Sequence, residues 1–86
     1  MKSLIGYKNA GYKIIKVFIM DYNGIDTDGV VIGRKIDGNL TCCPYVTWSF
    51  TIRGDNPVPN FYWGHYVDTE ESAFDEAIEK CRRFII

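Results

Sequence analysis

The chain is poor in the residues that most enzyme and metal chemistry draws on. It has one histidine, His65, and three cysteines in 86 residues. Any Ser-His-acid or Cys-His set therefore has a single base available, and nothing in the sequence places Ser49 or a thiol beside it. Cys42 and Cys43 are adjacent, which denies them the spacing that lets two thiolates reach one zinc. A bridge between neighbours is strained, and the odd count leaves one thiol over, so reduced thiols and a cytoplasmic setting are expected. Long apolar runs are also missing. The stretch from Ile14 to Met20 is interrupted by Lys16 and is far shorter than the roughly 20 residues that span a bilayer, and no secretion signal precedes Tyr7. No glycine-rich phosphate loop occurs. The segment Asp21 to Gly29 is rich in oxygens but has Ile25 where a calcium loop wants an acid or amide. No cofactor, metal or catalytic set is expected, and the chain does not read as an enzyme.

An excess of one charge is absent too. Ten Lys plus Arg face eleven Asp plus Glu, for a formal net charge of −1. The isoelectric point near 5.7 lacks the basic excess that a phosphate-backbone binder usually shows. The charges are nevertheless segregated. Residues 1–20 carry Lys2, Lys8, Lys13 and Lys16 and no acid, whereas residues 68–79 carry six acids and no base, an asymmetry that can steer a partner.

What the chain does have is apolar and aromatic content, at 47% and 15%, enough for one packed domain over 1–86 and too much for disorder. Turn residues at Asn9-Ala10-Gly11, Asn23-Gly24, Asp28-Gly29, Asp37-Gly38-Asn39 and Gly54-Asp55-Asn56-Pro57 cut it into four extended runs. Tyr45 to Arg53 is the clearest, with Val46, Trp48, Phe50 and Ile52 alternating against polar neighbours. Tyr12 to Tyr22 is β-rich without clean alternation, which calls for a bulge near Ile14 or cover on both faces. Val30 to Ile36 is a shorter strand. Phe61 to Val67 is the fourth, with Phe61, Trp63, His65 and Val67 assigned to one face and Tyr62, Gly64 and Tyr66 to the other.

A helix follows. Asp68 is the candidate cap with Glu71 three residues on, and Lys80, Arg82 and Arg83 suit the C-terminal end. Phe74, Ala77, Ile78, Cys81 and Ile85 form its apolar stripe. The expected fold is α+β: a four-stranded antiparallel sheet with one C-terminal helix packed on a face, in the order β-β-β-β-α. The reverse side of the sheet is expected to stay available to another molecule.

Two sets of residues carry the functional expectation. Tyr45, Tyr62 and Tyr66, if they project from the face opposite the helix, make either a protein contact or a stacking platform for single-stranded nucleic acid. Glu71, Asp75 and Glu79 step along one helix row, a negative ridge that suits a basic groove on a partner. The plainer account of that row is a solvated face with compensating pairs Glu76 to Lys80 and Glu79 to Arg83. An uncovered edge or face could also pair two copies.

The segments Pro44-Tyr45-Val46-Thr47-Trp48 and Phe61-Tyr62-Trp63-Gly64-His65-Tyr66, followed by an acidic helix, resemble small uncharacterised proteins encoded by phages and integrative elements of gut Firmicutes. The helix opening Thr69-Glu70-Glu71-Ser72-Ala73 is similar to that of HicB-type antitoxins, where a short sheet precedes a helix. The first resemblance implies a stoichiometric, non-enzymatic module that binds and modulates a host protein, such as a nucleic-acid-handling defence nuclease, in the manner of an anti-CRISPR. The second implies neutralisation of a toxin.

Overall fold

The computed structural model describes residues 4–36 and 43–85. Five strands precede one helix: β1 (Lys8–Asn9), β2 (Tyr12–Tyr22), β3 (Thr27–Lys35), β4 (Tyr45–Arg53), β5 (Asn56–Val67) and α1 (Glu70–Ile85). They form one sheet in sequential order with every neighbouring pair antiparallel. The α+β class with its antiparallel sheet and C-terminal helix is as expected, but the sheet has five strands, not four. The added strand, β1, is two residues long, too short to show a hydrophobic period. It pairs Lys8 with Lys13 and Asn9 with Tyr12 through a turn in which Ala10 and Gly11 both take positive φ, 52° and 85°, the backbone a two-residue hairpin favours. The Asp37-Gly38-Asn39 turn and Cys42 lie outside the described residues.

Two strands are longer than expected. Asp28-Gly29, read as a turn, lies within β3, where Gly29 pairs with Ile19 on one side and Phe50 on the other. Its glycine serves packing: a Cβ there would meet the Phe50 ring at 2.8 Å. Likewise β5 begins at Asn56 and runs through Pro57 and Pro59, which an edge strand tolerates because its outer N–H groups bond no ladder.

Both sides of the sheet are covered. On one, Leu4, Tyr12, Ile14, Val31, Val46, Trp48 and Phe50 form a buried cluster. On the other, Val30 and Ile32 pack with Ala73 and Ala77 of the helix, flanked by Ile15, Phe18, Tyr45, Val67 and Phe74. Ile14 and Ile15 thus belong to different clusters, and the register shifts between Ile14 and Lys16. That bulge and two-sided cover together explain why β2 does not alternate.

The first cluster is enclosed by curling of the sheet. Tyr12 of β2 and Tyr66 of β5 have ring centroids 5.7 Å apart. In a flat sheet these strands, with two between them, would lie about 14 Å apart. Bulges in β2 and β5 supply the bend, and Tyr7 closes the gap by reaching Phe61 at 5.8 Å. The reverse side expected to stay open is therefore filled by the chain's own core. The helix lies instead over the polar face of β4, where Thr47 and Ser49 are buried.

The N-cap of α1 lies one residue after the expected Asp68. Thr69 Oγ1 accepts from Ser72 N at 3.1 Å, so Thr69 is the N-cap and Ser72 occupies the third helical position. Ala73 and Ala77 are fully buried, and their small side chains bring the helix close to the sheet. Ile78, placed on the stripe from the sequence, is 51% exposed; the stripe is rotated towards Ala73 and Ala77.

Candidate functional site

The site is built by a one-residue irregularity in β5. Thr47 pairs with His65, but Ser49 pairs with Tyr62, so Trp63 and Gly64 together oppose Trp48. Trp63 takes φ 54°. Gly64 leaves the space that the Trp48 indole occupies, since a Cβ there would meet its Nε1 at 2.7 Å. The bulge resets the alternation that the sequence suggested for Phe61 to Val67. Phe61 and Tyr66 contact the Trp48 ring on the core side, whereas Tyr62 and His65 line a cleft on the helix side. Trp63 is pushed outward and is 77% exposed. Alternation in residue order places it on a face with Phe61, which hides its exposure. Gly64 inside an otherwise apolar run was the available signal for a bulge.

The three tyrosines consequently do not all share one face: Tyr45 and Tyr62 are on the helix side and Tyr66 is on the other. Tyr45 is half-buried against the helix-side cluster, Tyr62 lines the cleft, and Tyr66 is 47% exposed on the opposite rim, edge-on to Trp48. The expectation that they project together from the face opposite the helix fails, because the helix packs on the side of Tyr45 and the bulge separates Tyr62 from Tyr66. The acidic residues do form a surface. Glu71, Asp75 and Glu79 are all exposed on α1, with Ile78 beside them.

The cleft, of about 930 Å³, lies between α1 and the sheet. Met20, Val30 and Ser49 contribute from β2, β3 and β4, Tyr62, Trp63 and His65 from β5, and Glu76, Glu79 and Lys80 from α1, with Asp28 at the β3 end. Two links hold it together. His65 Nδ1 meets Glu76 Oε2 at 3.0 Å, an N–H donor to a carboxylate. Lys80 Nζ donates to Thr47 O at 3.2 Å and to Trp63 O, which ties the helix to the bulge. Glu76 pairs with His65, and Glu79 lies 3.7 Å from Arg82; the Arg83 side chain, the expected partner of Glu79, lies outside the described residues.

Charges of both signs surround the cleft: Asp28 is paired with Arg53, Glu76 with His65 and Glu79 with Arg82. Burial, and then the Asp28 carboxylate, push the Tyr62 phenol above its ordinary value, with Arg53 opposing them. Arg53 is held at 3.5 Å by Asp28 and at 3.8 Å by Asp26. Asp26 also accepts from Gly54 N at 3.0 Å, while Asn23 Oδ1 accepts from Ile25 N and Asp26 N. The oxygen-rich β2–β3 loop thus organises its own turn and clasps the β4–β5 hairpin. The His65–Glu76 pair has the form of a base with its orienting acid, and Ser49 lines the same cleft, with the imidazole Nδ1 directed at Glu76. Neither Cys43 nor Cys81 lines the cleft.

Fold and site define an α+β domain in which a curled antiparallel sheet, sealed on its inner side, presents an acidic helix and an aromatic-rimmed cleft on its outer side. No family model matches the chain, and neither a curated protein nor a solved structure does. No helix among the described residues is long and apolar enough to cross a membrane.

Proposed function

We propose that the chain is a non-enzymatic protein-binding module that occupies a basic surface of its partner through the outer face and flank of α1. The observation that carries this reading is the exposed row Glu71, Asp75 and Glu79 with half-exposed Ile78 beside it. Like charges spaced four apart on a helix are mutually unfavourable by a few tenths of a kcal/mol per pair, and an apolar side chain next to them gains most when a partner covers it. A positively charged groove satisfies both. With the resemblance to phage and integrative-element proteins, the partner proposed is a host protein that handles nucleic acid, held and modulated in stoichiometric amounts.

The test compares tagged wild-type chain with the reversal variant E71K/D75K/E79K as baits in a bacterial lysate, read by quantitative mass spectrometry. A basic protein recovered at near one-to-one stoichiometry by the wild type and lost from the variant supports the proposal. Equal recovery by both baits, or none by either, overturns it. Ester hydrolysis that disappears in both S49A and H65A would replace it with an enzymatic reading.

A further inference from the structure

We infer that the chain forms a two-fold symmetric dimer in which the acidic outer side of α1 in each copy, at Glu71 and Asp75, seats on the bare, basic half of the other copy's sheet. Such a dimer goes beyond the host-partner reading and does not depend on it; a host protein bound at the ridge would compete with the second copy. One line of cations crosses three strands. Lys8 pairs with Lys13, and Lys13 with Arg34, so the three side chains share a face and stand as direct cross-strand neighbours. That face is the one α1 occupies. Tyr12 and Ile14, on either side of Lys13, belong to the inner cluster, Lys35 lies over the Tyr12 ring at 5.0 Å, and Tyr45, opposite Arg34, packs towards the helix. The helix covers Val30, Ile32 and Tyr45, with Phe74 meeting Phe18 at its flank. It leaves Lys8, Lys13, Lys16 and Arg34 exposed.

Neither charge set has an ionic partner within the described molecule. Asp28, Glu76 and Glu79 have Arg53, His65 and Arg82. Among the described residues, by contrast, Lys8, Lys13, Lys16 and Arg34 form no ion pair, and nor do Glu71 and Asp75. Glu71 meets the positive end of the helix dipole in the first turn, whereas Asp75 lies a turn beyond it. Like charges directly opposite on a sheet are unfavourable, and guarding an edge against stray pairing does not account for them: Arg34 stands on β3, an interior strand. An opposing row of carboxylates turns that repulsion into attraction. A helix is about 10 Å thick, so α1 stands as a step above the bare half, and two such steps related by a two-fold axis interlock. Ile78, 51% exposed and one turn on from Phe74 along the same flank, then lies in the seam, where it loses water. A nucleic-acid backbone would also meet the cations but would run beside the carboxylates on the step. A second copy answers both signs at once.

The test is sedimentation equilibrium of the full chain over a concentration series reaching about 0.5 mM, at low and at high salt. The wild type should rise with concentration from 9.9 kDa towards twice that mass. Its association should be at least about tenfold weaker in about 0.5 M salt than in about 0.05 M. The reversal variants E71K/D75K and K13E/R34E should each stay monomeric over the same range, with circular dichroism matching the wild type to show that they fold. Mixed one to one, they should dimerise. The reversed ridge of one then meets the reversed row of the other, while their native ridge and native row meet in turn. A wild type that stays at 9.9 kDa throughout, a dimer that survives either reversal, or folded variants whose mixture remains monomeric overturns the inference. Dissociation of the dimer by an equal concentration of oligothymidylate of about eight nucleotides, with the oligonucleotide bound in its place, overturns it in favour of a nucleic-acid surface.

Discussion

Trp63 holds a backbone conformation that L side chains adopt at a penalty of about 1–2 kcal/mol, at φ 54° and with most of its ring in water. Comparing two ring-less variants isolates that penalty. In an ordinary strand Ala is preferred to Gly. Here Trp63→Gly is expected to be more stable than Trp63→Ala by about 1 kcal/mol, measured by urea denaturation. Equal stability would mean that the bulge relaxes without the side chain. A second residue-scale expectation concerns Cys81, whose thiol is pushed up by burial. The folded state favours the neutral thiol, so its contribution to stability is complete below the ordinary value near 9 and is lost as pH rises through the higher folded value. Alkylation of Cys81 at pH 8, followed by mass spectrometry, should accordingly be slower in the folded chain than in urea. Comparable rates would show an accessible, unshifted thiol.

Element by element, the parts that obey a short period were legible and those set by long-range closure were not. The span of β4 and its alternating Val46, Trp48, Phe50 and Ile52 could be read from residue order alone, as could the span of β2. The face of β4 that meets the helix could not. Its polar residues Tyr45, Thr47 and Ser49 look solvated in sequence, yet α1 covers them because the apolar face is already taken by the curl. Ile78 fell off the stripe for the same reason: the rotation of α1 follows from how closely Ala73 and Ala77 let it approach. Within the site, the acidic row was legible because helical spacing fixes it, whereas the tyrosine set was not, because one extra residue at Trp63-Gly64 reverses every face downstream. The mismatch of polar strand and helix leaves a mark. Thr47 Oγ1 is buried with no hydrogen-bond partner among the described residues. Replacing it by Val keeps the shape and removes the orphan hydroxyl, whose burial costs roughly 1–3 kcal/mol. Thr47→Val should therefore raise stability by about 1 kcal/mol, and a loss instead would imply an ordered water at that oxygen.

At the scale of the molecule, closure of the sheet decides both what holds the fold and which surface is left to a partner. The inner cluster is lined by residues as distant in sequence as Leu4 and Phe61, and the chain ahead of β1 acts as its wall. Gly6 N donates to Ile14 O and Ile14 N donates to Tyr7 O, each at 2.8 Å, which extends the ladder beyond the two residues of β1. Leu4, 7% exposed, seals the space this segment crosses. A segment so near the start of a chain is ordinarily expected to tolerate change, but here its burial argues otherwise. Leu4→Ala should cost about 2–3 kcal/mol, against less than about 0.5 kcal/mol for Ile25→Ala, whose side chain is mostly exposed. Urea denaturation gives both values, and amide exchange at Ile14 should quicken in the Leu4 variant. The same variant separates fold from function. If the partner surface lies wholly on the helix side, Leu4→Ala should still recover from lysate the basic protein captured by the wild-type chain, under conditions where the variant is folded. Lost capture by a folded variant would mean that the curl, and not α1 alone, sets the contact surface.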